Sequence, residues 1–269
     1  VSEFTYCLNT STIRPTPLLD KIKIAAKAGY QAIEPWNDEV TEYLATGGTM
    51  ADLKKALGDA GLKVVSVIAL HSWITTEGDE YQKALAECRR RMDQAAELGS
   101  PYIVASPPQE VVDLAHATSR FRDLLALGKQ AGVRPSMEFL GFVDGIKNVS
   151  SAWTIASGSG DPTATVVADV FHMMRGGGSV DDLLTLPGDR VACFHINDLP
   201  ADPPPLAQSD ADRVMVGEGI ADLPRVIANL RKIGYRGPLS LELFNRALWE
   251  QDPAEVITRG LERIRSLVE

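Results

Sequence analysis

The sequence predicts an α/β protein folded as a single (β/α)8 TIM barrel spanning residues 1–269. Three observations predict it. Short apolar runs alternate with longer amphipathic segments eight times along the chain. The length, 269 residues, suits one barrel, which takes ~250 residues. The joints from helix to strand repeat one form: Gly29, Gly61, Gly99, Gly132 and Gly234 each close a helical pattern a residue or two before an apolar run. That is where a left-handed C-cap belongs. An open, doubly wound sheet shares the alternation, but its phosphate-binding GxGxxG is absent from the first strand–helix turn.

The strands are expected, in order, at FTYCLN (4–9), AIEPW (32–36), KVVSVIAL (63–70), YIVAS (102–106), RPSMEFL (134–140), TVVADVF (165–171), VACFHIN (191–197) and LSLELF (239–244). Each is short and rich in β-branched or aromatic residues, as strands buried on both faces are. Apolar residues at helical spacing predict helices near 17–28, 49–60, 79–98, 110–131, 149–157, 179–186, 221–233 and 253–268. Asp222 before LPRVIANL and Asp252 before PAEVI supply N-caps, the latter with proline in the first turn. MMRGGGSV (173–180) lacks the Lys-Ser/Thr of a phosphate-binding loop and reads as a flexible connection. The long segment from Asp198 to Gly219 is proline-rich and reads as a lid or a part of the site.

Composition narrows the partners. The net charge is −9, with acids spread along the chain. Polyanion binding needs a basic stripe that displaces counterions. The nearest approach, RRRMD at 89–93, lies inside a helical pattern and reads as a solvated face. No nucleic-acid partner is expected. No membrane partner is expected either, since no apolar run reaches the ~18 residues of a spanning helix. The opening VSEFTYCLNT has no basic start and long apolar core, so no secretory leader is expected. Cys7, Cys88 and Cys193 are scattered and odd in number, which predicts no disulfides and a reducing, cytoplasmic setting.

The chemistry gathers at strand ends. In ATVVADVFHMM (164–174) an apolar strand runs into Asp169 and then His172. Neighbouring strands end alike: the fifth offers Glu138, the seventh His195 and the eighth Glu242. In a parallel barrel these ends surround one bowl, where such enzymes work. Carboxylates crowded there at low dielectric would repel one another, and burying them unpaired is costly. One divalent cation resolves the conflict. Three oxygen ligands and one imidazole suit Mn²⁺, Mg²⁺ or Co²⁺, with Zn²⁺ as a further alternative.

The chain resembles the xylose-isomerase-like sugar isomerase/epimerase superfamily. SMEFLG (136–141), VVADVFHMM (166–174), CFHIND (193–198), DRVMVGEGIADL (212–223) and IGYRGPLSLELF (233–244) carry the resemblance, with GYQAIE (29–34) in the first half. It is stronger to bacterial inosose (2-keto-myo-inositol) isomerases than to the D-tagatose/D-psicose 3-epimerases. The resemblance implies metal ligands at Glu138, Asp169, His195 and Glu242, with Glu138 and Glu242 also exchanging the proton. It implies that His172 bonds a substrate oxygen and that Arg213 lies by the site. It also implies a keto-sugar or keto-cyclitol as substrate, and a homo-oligomer, since paired barrels are common in the family. Weaker candidates are Trp36 as an apolar wall, His71 as a substrate contact, and Glu34, which holds a substrate hydroxyl or stands behind the ligands. Asn9 ends the first strand and is weaker still.

Such a site polarises a ketose carbonyl, acidifies the neighbouring C–H and stabilises the enediolate. Two glutamates on opposite sides of that plane serve both faces. The expected activity is therefore isomerisation or epimerisation. The alternative is a lyase or dehydratase in which the same deprotonation leads to β-elimination from a keto-sugar or 3-keto-glycoside. An abasic-site endonuclease would share the barrel but needs more metal ligands and a basic groove. A non-catalytic metal-binding subunit would not need His172 and Arg213. Two positions depart from the inosose-isomerase pattern. Phe142-Val143 replaces a polar, His-containing turn, and Pro35-Trp36 replaces an arginine near the site. They predict a more apolar pocket with room for a bulkier substrate.

Overall fold

The computed structural model describes residues 3–269. All eight predicted apolar runs become parallel strands. The elements are β1 (Thr5–Asn9), α1 (Leu18–Ala28), β2 (Ala32–Glu34), α2 (Asn37–Ala45), α3 (Met50–Ala60), β3 (Lys63–Val64) and β4 (Val67–Leu70). Then follow α4 (Gly78–Glu97), β5 (Tyr102–Ala105), α5 (Leu114–Ala131), β6 (Arg134–Glu138), α6 (Val149–Gly158), β7 (Thr165–Asp169) and α7 (Val170–Arg175). The chain ends with β8 (Val191–Ile196), α8 (Leu223–Lys232), β9 (Pro238–Leu241), α9 (Arg246–Trp249) and α10 (Pro253–Val268).

The sheet order is β3-β2-β1-β9-β8-β7-β6-β5-β4. Its two end strands, β3 and β4, are halves of one predicted strand, interrupted at Val65 and Ser66. Backbone bonds cross the seam: Lys63 N–H donates to Gln31 O, Val65 N–H to Ile33 O and Ile68 N–H to Pro35 O, at 3.1–3.3 Å. The nine segments therefore make eight staves of a barrel closed by hydrogen bonds. Inside it Ile68, Ala69, Val104, Val167 and Cys193 form a small apolar plug with Trp36 against it. The larger core lies between the staves and the surrounding helices.

Several helix ends match the sequence reading. Gly29, Gly61, Gly99, Gly132 and Gly234 all have positive φ. The Asp222 carboxylate accepts from Arg225 N–H, and that of Asp252 from Ala254 and Glu255 N–H. Other elements differ. The segment expected as a helix at 179–186 is a 3-10 turn over Val180–Thr185. Helix α2 fills the stretch after β2, with Asp38 and Glu39 in its first turn, where carboxylates favour the helix dipole. The sixth predicted strand stops at Asp169, because that carboxylate accepts His172 N–H at 3.0 Å and caps a new helix. The cysteines are free and buried. Among the described residues no helix is long and apolar enough to cross a membrane.

Candidate active site

Strand register assembles the site. Asn9 ends β1 opposite Glu34, the last residue of β2. Asp169 ends β7 opposite His195 in β8, and His195 stands opposite Ser240 in β9, two residues before Glu242. Glu138 ends β6. His172 sits one helical turn beyond Asp169 rather than on the strand.

His195 lies at the centre, fully buried. Its Nδ1 is 3.1 Å from Glu242 Oε2 and 3.5 Å from Asp169 Oδ2. Its Nε2 is 3.0 Å from Glu34 Oε2. Burial opposes charge on this imidazole, but the carboxylates of Glu242 and Glu34 outweigh it and hold its pKa well above the ordinary range. Asp169 is buried, yet Arg213 and His172 hold its carboxyl well below the carboxylate range. Asn197 Nδ2 also donates to both Asp169 oxygens at 3.2 Å. Glu138 stands apart from the three. Its Oε2 accepts from Ser106 Oγ at 2.7 Å, and burial, reinforced by Glu242, pushes its carboxyl up to about 8.

Arg213 arrives from the long loop. It is buried, and Nη1 donates to Asp169 Oδ2 (2.7 Å) and Glu242 Oε2 (2.8 Å). Nε and Nη2 both donate to Asp210 Oδ1, at 3.1 and 2.7 Å. The guanidinium lies over Phe171 and Phe244, 4.7 and 5.2 Å from the ring centroids. Its Nη2 also faces His172 Nε2 at 3.1 Å, while Gly141 N–H points at Nδ1 of that ring. Burial, with help from Arg213, lowers His172 to about 4. A neutral ring has a single lone pair, so it accepts from only one of these two donors.

The sequence reading did not single out Asp198 or Asp210. Asp198 Oδ1 accepts from Leu199 and Ala221 N–H, and Oδ2 from Gly217 and Gly219 N–H, at 2.9–3.2 Å. Its backbone pairs with Val214, the residue after Arg213. One carboxylate thus folds the loop back and delivers the arginine. A Cβ at Gly219 would collide with Leu199 O and the Asp198 carboxylate, so the second glycine of VGEG permits this approach. The signal in the sequence was an aspartate at a strand end followed by a distant GxG.

The cavity above the cluster measures about 200 Å³. Glu138, Glu242, His172, Arg213 and Asp210 are among its polar residues, and Trp36, Phe142, Phe244 and Leu140 among its apolar ones. Trp36 and Phe142 therefore stand where the two departures predict an apolar lining. His71 is at the rim. Glu34 does not line the cavity; it lies behind His195, which is the second of its two expected places. A larger cavity of about 680 Å³ opens near Pro101, Lys129 and Arg134, at the start of β6 and the opposite end of the barrel. It holds none of the clustered acids.

Residues 22–267 match the family described as Xylose isomerase-like TIM barrel. The chain belongs to that family. It is 26% identical to the inosose isomerase of Bacillus velezensis over 272 residues, covering 97% of this chain and 96% of that protein. It is 25% identical over 236 residues to the 3-dehydroshikimate dehydratase of Pseudomonas putida, covering 85% of this chain but 36% of that protein. The chain thus spans about a third of the dehydratase's length. Among solved structures, the IOLI protein with a bound zinc atom superposes with a TM-score of 0.92 at 23% identity, covering 98% of both chains.

The donor set of this family member fits a divalent cation. Oxygen and nitrogen ligands held ~2.0–2.2 Å from one ion stand about 3 to 3.5 Å apart, the spacing of His195 Nδ1 from Glu242 and Asp169. Donor atoms of all three residues lie within 4.8 Å of one another. Neither ring nitrogen of His195 makes an aligned hydrogen bond, although both are buried. A buried, unpartnered imidazole nitrogen facing two carboxylate oxygens is a ligand in waiting.

Proposed function

We propose that this protein is a divalent-metal-dependent isomerase or epimerase of an uncharged keto-cyclitol or keto-sugar, acting by proton transfer beside the carbonyl. The observation that carries this reading is the pairing of two carboxyls, Glu138 and Glu242, on the wall of one cavity directly above the Asp169–His195–Glu242 donor group. The ligands would be Asp169, His195 and Glu242, with Glu138 as the fourth, and Mn²⁺ is the first choice for three oxygens and one nitrogen. The cation, when bound, would polarise the substrate carbonyl and acidify the adjacent C–H.

The side chains divide the remaining work. Glu138 takes or returns a proton on one side of the substrate. Glu242 serves the other side, with Arg213 holding its Oε2. His172, neutral, meets a substrate oxygen. Trp36, Phe142 and Phe244 pack on the C–H faces of a ring and exclude water; His71 contacts substrate at the rim. The three buried, free cysteines accord with a reducing, cytoplasmic setting.

Charge favours this reading over dehydration of 3-dehydroshikimate, a carboxylate. Among the described residues the one arginine or lysine on the cavity wall is Arg213, and its Nε, Nη1 and Nη2 already serve Asp210, Asp169 and Glu242. A substrate carboxylate would enter among Glu138, Glu242 and Asp210 with no unengaged arginine or lysine among the described residues of the wall to meet it.

The test is isotope exchange. Mn²⁺-loaded protein is incubated in D₂O with 2-keto-myo-inositol and a panel of ketohexoses. Deuterium at the carbon next to the carbonyl is expected in at least one, with an epimer or isomer as product. Loss of a β-substituent instead would mark the lyase alternative. No exchange anywhere in the panel overturns the proposal.

A further inference from the structure

His195 has two working edges. Nδ1 faces Glu242 and Asp169; Nε2 faces Glu34. Glu34 is fully buried and off the cavity wall, so no substrate atom reaches it. Its Oε2 accepts from Asn9 Nδ2 at 2.9 Å and from Ser240 Oγ at 2.8 Å. Both donors sit on barrel strands, and they fix that oxygen 3.0 Å from Nε2.

We propose that Glu34 is a positioning residue that keeps the His195 ring proton on Nε2, so that the Nδ1 lone pair points at the cation held with Asp169 and Glu242. The inference rests on the metal-centre reading above. The reasoning is one of tautomers. A neutral imidazole carries one proton, and the nitrogen that lacks it is the ligand. An acceptor fixed beside Nε2 selects the proton there and also orients the ring. The other side of the ring repeats the logic, since Glu242 and Asp169 offer lone pairs rather than donors to Nδ1. Asn9 extends the arrangement. The same Nδ2 that donates to Glu34 donates to Glu242 Oε1 at 3.0 Å, and its Oδ1 accepts from Trp36 Nε1 at 3.1 Å. One amide therefore sets the position of Glu34 relative to a catalytic carboxylate.

Glu34, His195 and Cys193 also bring donor atoms within 4.8 Å of one another, which raises a second ion as a competing use of these residues. Geometry favours the positioning role. Asn9 and Ser240 already donate to Glu34 Oε2, which leaves Oε1 for a competing ion, but an ion on Nε2 would have to displace the ring proton proposed there, and the zinc count decides between the two.

The experiment reads the tautomer and the affinity, not turnover. Protein carrying ¹⁵N-histidine is loaded with Zn²⁺, and long-range ¹H–¹⁵N spectra locate the proton on His195. The expected result is one zinc per chain, with the proton on Nε2 and the metal on Nδ1. A proton on Nδ1, or two zinc ions per chain, overturns the inference. Separately, Glu34→Ala and Glu34→Gln are titrated with Co²⁺, following its visible bands. Loss of an outer-shell partner lowers affinity about 10–100-fold. That is the expectation for Glu34→Ala, with a smaller loss for Glu34→Gln, which keeps an oxygen toward the ring. A folded Glu34→Ala protein with unchanged affinity and spectrum overturns the inference alone. Failure of the unsubstituted protein to bind Zn²⁺ or Co²⁺ overturns the metal-centre reading beneath it. Should Glu34→Ala not fold, the spectra of the unsubstituted protein decide.

Discussion

Asp198 offers the most demanding test of how the arginine is delivered. Its carboxylate is 1% exposed and accepts four backbone N–H groups, from Leu199, Gly217, Gly219 and Ala221. Asp198→Ala strands all four donors. A donor left unsatisfied in a buried site costs about 1–3 kcal/mol. Some of these N–H groups reach solvent once the loop loosens, so the lower figure applies to each, about 4 kcal/mol together. At ~2–4 °C per kcal/mol for a chain of this size, the melting temperature should fall by about 8–16 °C. The near-isosteric Asp198→Asn is the sharper variant. Its amide keeps one acceptor but turns an NH2 toward at least one pair of N–H donors, so it should lose nearly as much as alanine. Both variants should also lose turnover, because Val214 and hence Arg213 hang from this residue. Differential scanning calorimetry at one scan rate, with initial rates below melting, provides the assay. An Asp198→Asn protein that melts and turns over like the unsubstituted one would refute the reasoning, since it would show that the carboxylate's second oxygen does not hold the loop.

Three further predictions concern the centre itself. Glu242→Gln should cut turnover by about 10²–10⁴-fold, the usual worth of a general acid–base group, while circular dichroism shows an unchanged fold; retained activity would remove Glu242 from the chemistry. Arg213→Met deletes a cation buried against Asp169 and Glu242, a loss of about 3–5 kcal/mol. A bound cation neutralises the same carboxylates, so the melting-temperature loss should be large in EDTA and smaller in Mn²⁺; equal losses would show that cation and arginine do not serve the same carboxylates. Below about 6.5 His172, lowered to about 4, opposes Glu138; from about 6.5 to about 8 the metal-free protein should become less stable as pH rises, because native Glu138, pushed up to about 8, keeps a proton that the unfolded chain has released. His195, also raised, acts in the same direction above 6.5. Metal affinity should climb over this window as cation replaces proton. Melts in EDTA and calorimetric titrations from about pH 6.5 to about 8 would expose a flat or opposite trend.

The barrel was legible because its signals are local. Eight apolar runs and five capping glycines carry period and punctuation in single windows of sequence. The acids and histidine at strand ends were legible for a related reason: in a parallel barrel, position along a strand already states which end of the fold a side chain occupies. What escaped were contacts between distant elements. VFHMM looks like more strand by composition, and the helix wins because the Asp169 side chain caps it. The division of the third stave between Val64 and Val67 has no local signature. Asp198 and Asp210 act on backbone and guanidinium groups brought near by a loop, and Asn9 gains its importance from carboxylates 25 and 233 residues away. The place of Glu34 behind His195, rather than against substrate, follows from barrel closure between β1, β2 and β9.

Trp36 carries one last implication. Its indole lines the cavity and, through Asn9, is tied to Glu34 and to Glu242, the proposed proton carrier. Substitutions at Trp36 should therefore change selectivity and rate together. Phe142, whose ring meets His172 edge-on at 5.3 Å, has no comparable polar leash. Substitutions at Phe142 should then alter ligand preference with less effect on Glu34 and Glu242, acting instead through His172.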